Sequence, residues 1–435
     1  MRKAFPIFPF LCFVLLAGCV STDPDAENAI MALRTGNGAE ALEWSGDYAT
    51  NSHYSTNLGL VEHGRVNMLL NRHAEARDSF RLAIDSAIDR KERSPKVKFG
   101  DVGNTLLAST ITDDRTRQYY LAPYEINLAI EYAIINQEIL GEREDALVDA
   151  RLAEYVMENL AETYGNDVAA DTSMTNSGVS GVCDSQTAQM YEVLAQSRNS
   201  WENPLLWWLT GVLHEADGDR ESALASYRRA ALLRSDNPVF VEDASRVPTR
   251  LSPAKDKAKL VIVCGEGFIS RRQSLKVPVP IYTGMAIDIP MYKDSAYSPK
   301  GVTVSVDGAV PSGAFPAVNI QSLAYRDLKE HLPGIIARNI SRAAVQAGAQ
   351  AAVNAAGNDY AKIAVFVGNA VVSALRSADI RSWRTLPMSE QVWRSDTLEP
   401  GERRVDVKIG TRLVSTTVKL KPGETKIIYV NSMEE

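Results

Sequence analysis

Apolar residues recur at three- and four-residue spacing from about residue 57 to 240, the period of helices that bury one face. Within that stretch two segments place small and bulky residues as a helix-turn-helix repeat of about 34 residues does. The first carries Leu60, Gly64, Ala76, Phe80 and Ala83; the second carries Trp207, Gly211, Ala223, Tyr227 and Ala230, with Pro238 just past it. Glycine and alanine at such positions let paired helices approach closely, while the rings fill the space between units. Leu70–His73 and Ala216–Asp219 read as the turns. A degenerate third unit lies between, with Tyr132, Gly141 in its turn, Ala146, Ala150 and Ala153. Three units are about the minimum for a stable stack. Upstream, residues 20–55 predict a tether and first helices over about Asp25–Arg34 and Ala39–Trp44. Residues 165–187, rich in Ser, Thr, Asn, Gly and Asp, predict a long surface loop.

Around Pro248–Asp256 the pattern changes. Lys259–Cys264 reads as an apolar strand ended by Gly265-Glu266-Gly267, Pro278–Met291 as extended, and Gly301–Val306 as a strand turning at Asp307-Gly308. Asn319–Arg342 reads as a helix with a break near Pro333, continuing to about Ala356. After a turn at Gly357-Asn358-Asp359, Tyr360–Ala378 forms a second helix, so that 320–378 makes a hairpin. Arg403–Ile409, Arg412–Leu420 and Lys426–Val430 alternate as strands around turns at Gly410 and Pro422-Gly423-Glu424. The expected fold is α+β: an irregular α-solenoid of TPR-like helical repeats over residues 56–245, then a β-sandwich-like domain over 257–435 with the helical hairpin inserted.

The N-terminus adds an address. Arg2 and Lys3 precede an apolar run from Phe5 to Leu16, too short to span a bilayer and the right length for a signal-peptide core. It ends in Leu16-Ala17-Gly18-Cys19, the pattern of a bacterial lipobox, so residues 1–18 read as a cleaved signal and Cys19 as the lipidated residue. Val20 and Ser21, in place of Asp, match the class of lipoprotein sent to the outer membrane. Four cysteines occur in all; with Cys12 and Cys19 assigned to export, Cys183 and Cys264 remain, and a disulfide between them is open in an oxidising compartment. A net charge of −7 gives no basic face for nucleic acid.

Catalytic motifs are missing from the pattern. The five histidines, His53, His63, His73, His214 and His331, have no metal-ligand spacing, and there is no Gly-X-Ser-X-Gly elbow or phosphate-binding glycine loop. No cofactor or metal is therefore expected, and no enzymatic activity. Glu266 between glycines reads as a turn residue more readily than as a general acid. Trp383, flanked by Arg381 and Arg384, admits two readings: a sugar- or peptide-docking platform, or a plug between helix and sheet with Asp379 paired to an arginine. The Ala/Gly-rich 343–375 stretch is interrupted by Gln346, Gln350, Asn354, Asp359, Lys362 and Asn369 and reads as soluble packing.

Pro123-Tyr124-Glu125 leading to Leu140–Ala146, Gly211–Tyr227, Leu260–Phe268, and Asp379–Pro387 with Leu398–Gly401 resemble a family of bacterial TPR-containing lipoproteins of unassigned molecular role. The resemblance runs through most of the mature chain and implies a repeat-rich helical half, a β-containing C-terminal half and no catalytic residues. Asp149–Ala153 departs from the more basic run expected there. The functional expectation is a lipid-anchored protein of the cell envelope. It would act as a non-enzymatic scaffold that holds a protein partner in a groove lined by Asn67, Arg72, His214 and Arg228. The alternative is a glycan- or peptidoglycan-binding accessory of an envelope or polysaccharide machine, centred on Trp383.

Overall fold

A computed structural model describes residues 23–51, 56–93, 118–173, 177–278, 286–292, 298–356 and 378–433. The protein is α+β, helical in its first half and sheet-rich in its second. The helices are α1 (Asp23–Arg34), α2 (Gly38–Asn51), α3 (Thr56–Leu69), α4 (His73–Arg93), α5 (Pro123–Leu140), α6 (Arg143–Ser173), α7 (Ser177–Thr187), α8 (Tyr191–Leu194), α9 (Pro204–Asp217), α10 (Arg220–Leu233) and α11 (Pro238–Arg246). α1 to α6 pack each on the next, as do α9 to α11, while α7 packs on the later helix over Ile320–Ala356.

Four turns between these helices use one device, a residue in the left-handed region that stops the helix and reverses the chain. Gly36 (φ 77°) separates α1 from α2, Asn71 (φ 60°) separates α3 from α4, Gly141 (φ 83°) separates α5 from α6, and Gly218 (φ 87°) separates α9 from α10. The helix pairs then close through the small-against-aromatic contacts that the sequence pattern predicts. A Cβ on Gly64 would lie 2.8 Å from the Phe80 ring, and one on Gly211 would lie 2.6 Å from that of Tyr227. Asn203 and Asn237 cap α9 and α11 through their side-chain oxygens, each followed by proline in the first turn.

The strands are β1 (Ala258–Glu266), β2 (Arg272–Pro278), β3 (Ala286–Tyr292), β4 (Val302–Val306), β5 (Ser312–Gly313), β6 (Phe315–Asn319), β7 (Ser389–Leu398), β8 (Gly401–Ile409), β9 (Arg412–Leu420) and β10 (Thr425–Ser432). One mixed sheet has the order β10-β1-β7-β6, with β1 parallel to β10 and antiparallel to β7. A second, antiparallel sheet has the order β5-β4-β8-β9, and β2 and β3 form a separate hairpin. The long helix α12 (Ile320–Ala356) follows β6 and carries Pro333 within it.

β1 explains how these parts stack. It is buried along its whole length, so it reads as a continuous apolar run. Its even positions, Leu260, Ile262 and Cys264, pack with Val302, Val304, Val405, Val407 and Ile409 of the second sheet. Its odd positions, Val261 and Val263, belong to the main core with Leu128, Trp208 and Phe240 of the helices. The mixed sheet is thus the middle layer, covered on one face by helices and on the other by the second sheet. The helical and β halves are consequently one packed body; residues 56–245 and 257–435 share a core.

A charge network locks one end of that interface. Arg246 of α11 binds Glu215 of α9 at 2.6 and 2.9 Å, Tyr227 donates to the same carboxylate at 2.8 Å, and the fully buried Lys259 of β1 reaches it at 3.0 Å. Asp243 accepts from Trp208 Nε1 at 2.9 Å and from Arg394 of β7 at 3.0 Å. Burial alone would raise the Glu215 carboxyl, but Arg246 and Lys259 overcome that and hold it at about 2.

Two expectations change. Residues 165–187 are mostly helical, running through the end of α6 and α7, because Val179 and Val182 are buried against the main core and packing overrides weak helix propensity. The strand β7 lay in a stretch with no assignment. In the expected hairpin over 320–378, the first arm is the single helix α12, while the turn at 357–359 and the second helix lie outside the described residues. Among the described residues no helix is long and apolar enough to cross a membrane.

The close approach of α9 to α10 sets a test. Gly211→Ala forces a methyl into the Tyr227 ring, and overpacking of this kind costs about 1–3 kcal/mol. A fall in the chemical denaturation midpoint, with the far-ultraviolet circular dichroism spectrum retained, is the expected result.

Candidate functional site

A concentration of buried ionisable groups lies where residues 378–388 cross the helices. This strap has neither helix nor strand, so its main chain needs partners from elsewhere. The helices supply them. Glu62 of α3 accepts the N–H groups of Arg384 at 2.5 Å and Thr385 at 3.0 Å, and Glu125 of α5 accepts that of Trp383 at 3.1 Å. Arg65 Nε donates to the Thr385 carbonyl at 3.4 Å, and Arg272 Nη1 to that of Arg381 at 3.4 Å. The Trp383 ring is fully buried, 6.0 Å from Phe80 and 5.9 Å from Tyr132 between centroids, and its Nε1 donates to Thr385 Oγ1. Arg384 reaches Glu27 of α1 at 2.8 Å, and Arg381 pairs with Asp379 at 2.7 Å while lying over Tyr119.

Arg65 is the centre of this cluster. Its guanidinium donates to Tyr429 Oη at 2.7 Å and Asn431 Oδ1 at 3.1 Å of β10, and it lies 4.6 Å and 4.8 Å from the ring centroids of Tyr132 and Tyr429. Both tyrosine hydroxyls donate to Glu390 Oε1 of β7, at 3.1 and 3.0 Å. Gly265 leaves the room this needs: a Cβ there would fall 2.0 Å from Tyr429 Oη. Glu131 of α5, held by Asn203 Nδ2 at 2.6 Å, faces Glu390. Burial, and then the Glu390 charge, push the Glu131 carboxyl well up. Burial likewise raises Glu125, and raises Glu62 to about 7 against the pull of the strap N–H groups.

Such groups, perturbed and enclosed, mark functional sites in many proteins. Here every one is engaged in holding chain to chain, and the arrangement can clasp a segment and store protons. Among the described residues no group of three or more His, Cys, Asp or Glu is placed to hold a metal ion.

The residues singled out from sequence fall elsewhere or change role. Trp383, Arg381 and Arg384 come together buried: the docking-platform reading is corrected, because the tryptophan has no exposed face, and the plug reading, with Asp379 paired to Arg381, is the arrangement found. Cys183 and Cys264 are free thiols. Cys264 points into the core between the sheets and Cys183 packs against the helical core, so the possible disulfide does not form. Burial raises both thiols, Cys183 to about 11. Glu266 is buried at the end of β1 and accepts the Lys300 N–H at 2.9 Å.

The four residues expected to line a groove do not form one. Asn67 is buried and bonds the His63 carbonyl, Arg72 pairs with Glu75 beside the α3–α4 turn, His214 is buried against Glu154, and Arg228 is exposed on α10. Cys19 lies outside the described residues. Glu62, Arg65, Glu125, Glu131, Tyr132, Glu390 and Tyr429 were missed as a site. The available signal was charge inside apolar helices, above all in α5, whose residues from Pro123 to Glu138 are all buried.

Comparison with family models, curated proteins and solved structures gives no significant match.

Two tests follow from the cluster. Arg65→Met removes the guanidinium and leaves the Glu390 carboxylate buried beside two hydroxyls, a loss of about 3–5 kcal/mol for one partner of a buried ionic group; urea unfolding measures it. The pH dependence has a defined sign. The folded state holds the Glu62 proton more tightly than the unfolded chain does, with a value near 7 against the ordinary 4.5. Its contribution is complete below the ordinary range and is lost as pH rises through about 7. Glu125 and Glu131 act in the same direction. Glu215 acts oppositely, its stabilisation disappearing as pH falls from 4.5 through about 2. Unfolding free energy should therefore decline between about pH 5 and 8, and Glu62→Gln should flatten that decline.

Proposed function

We propose that this protein is a lipid-anchored lipoprotein of the cell envelope and that it serves as a non-enzymatic protein-protein interaction scaffold. On this reading the pairs α3/α4, α5/α6 and α9/α10 are TPR-like units of an irregular solenoid. The two four-stranded sheets form a sandwich that braces it, and Cys19 carries the lipid that places the assembly at the outer membrane.

The observation that carries the reading is the division of labour within each helix pair. The first helices, α3, α5 and α9, are buried against the sheet and the strap, while the second helices, α4, α6 and α10, keep an open face. On that face Leu82, Val148, Tyr155 and Leu232 stand more than half exposed. Val148, Leu152 and Tyr155 recur along α6 at the spacing of one helix face, a stripe suited to a partner helix or loop. The partner surface is thus assigned to the outer helices, in place of the groove first expected. The glycan reading loses its anchor with the burial of Trp383.

Crosslinking in intact cells followed by mass spectrometry should recover a defined protein partner, and Val148→Asp with Tyr155→Asp should abolish its capture while the fold persists. Recovery of the same partner from that double variant would remove the outer face from consideration. For the anchor, Cys19→Ala should move the protein from the membrane to the soluble envelope fraction; a variant that is processed normally and stays membrane-bound would refute the lipid assignment.

A further inference from the structure

A buried segment outside helix and sheet must satisfy its main chain with other main chain, side chains or ordered water. Leu386 and Met388 of the strap pair with the main chain of Ile269, Glu266 and Gln321, whereas residues 381–385 use side chains. Three consecutive N–H groups, of Trp383, Arg384 and Thr385, go to the helix carboxylates Glu125 and Glu62. Two of its carbonyls go to Arg272 and Arg65. One aromatic anchor, Trp383, fills a pocket made with Phe80 and Tyr132, and a flanking cation, Arg384, meets Glu27 nearer the surface. This is the way a receptor holds an extended ligand, with side chains on the ligand backbone, a buried ring and a charged flank. Packing alone does not call for it, since apolar residues of matching volume often replace buried ionic groups without loss of stability.

We propose that the inner face of α1, α3 and α5 is a peptide-recognition site, filled in cis by residues 381–386, whose partner is an extended protein segment carrying a tryptophan between two arginines. The strap displays the chemistry that the site selects. Glu62 and Glu125 accept the main-chain N–H groups of the segment, Glu27 meets its cation, and the indole packs against both Phe80 and Tyr132. A partner segment of the same chemistry exchanges with the strap, and the high effective concentration of the tethered copy sets how tightly the partner must bind. The inference rests on the scaffold reading only in treating the helices as a binding surface. It concerns a different face from the outer stripe.

The test uses the full chain carrying Trp383→Ala, the unaltered chain, and two free nonapeptides. One peptide has the sequence of residues 379–387 and the other has alanine in place of its tryptophan. A ligand that binds the folded state raises the unfolding midpoint by mass action. The expected result is that the tryptophan peptide raises the midpoint of the Trp383→Ala chain and binds it roughly 30-fold more tightly than the alanine peptide, the range of a buried aromatic anchor. The unaltered chain, its site filled, should respond to neither. If the Trp383→Ala chain does not fold by itself, recovery of its far-ultraviolet circular dichroism on adding the tryptophan peptide supports the site equally, and Trp383→Leu repeats the comparison in a chain that keeps the position apolar. A folded variant that ignores the tryptophan peptide, or responds equally to both peptides, overturns the proposal. Because the purified chain is used, this failure is separate from failure of the anchor or of the outer-face partner.

Discussion

A guanidinium with no access to water must find its partners inside the protein, and Arg65 finds them on four different elements. Its donors reach the strap at Thr385 and β10 at Tyr429 and Asn431. Its face lies against Tyr132 of α5, and through the two tyrosines it is linked to Glu390 of β7. Desolvating a cation costs several kcal/mol, so none of these elements can close around Arg65 without the others. The helices alone would leave it half satisfied, and so would the sheet. This ties the two halves of the chain into one cooperative unit more firmly than shared apolar area could, because apolar contact tolerates sliding and a fully hydrogen-bonded guanidinium does not.

The same constraint fixes the register of the central sheet. On the helix-facing side, polar residues stand at the two ends: Glu390, Gly265, Tyr429 and Asn431 near Arg65, and Lys259, Arg394 and Asp396 near Glu215 and Asp243. Between them lie Val261, Val263, Val392 and Ile427. Side chains alternate faces with period two, so a slip of one residue would drive Lys259 and Arg394 into the apolar core between the sheets and bring Ile262 and Trp393 against the helix carboxylates. The two polar clusters therefore act as register pins separated by an apolar strip.

Much of this was legible in the chain. The helix pairs could be read from Gly64 with Phe80 and Gly211 with Tyr227, because a small residue one helix away from a ring is a local, periodic signal. The turns at Asn71, Gly141 and Gly218 were readable for the same reason, as were β4, β8, β9 and β10 from their alternation. β7 was not. Its residues Ser389–Leu398 mix Glu390, Arg394 and Asp396 with Val392 and Trp393, and the charged positions look solvated until the partners across the helix interface are known. The strap was legible in part: of the two readings of Arg381-Ser382-Trp383-Arg384, the plug with Asp379 paired to an arginine is the one found, but its distant partners Glu27, Glu62 and Glu125 could not be read from the chain. Long-range pairing between charges more than 250 residues apart leaves no mark in local pattern.

The burial of the strap bears on function. A stack of helix pairs has an inner and an outer surface, and a reading from sequence naturally assigns the partner to the inner one. In this protein the inner surface is already covered, by the sheet over α5 and α9 and by the strap over α1, α3 and α5. On the outer row of helices, by contrast, Leu82, Val148, Tyr155 and Leu232 stand exposed. The inner surface is buried and charged, and its carboxylates already hold the strap or a neighbouring segment of the chain. Any coupling between the two surfaces would have to pass through α5, which touches the strap at Glu125 and supports α6 on its other side.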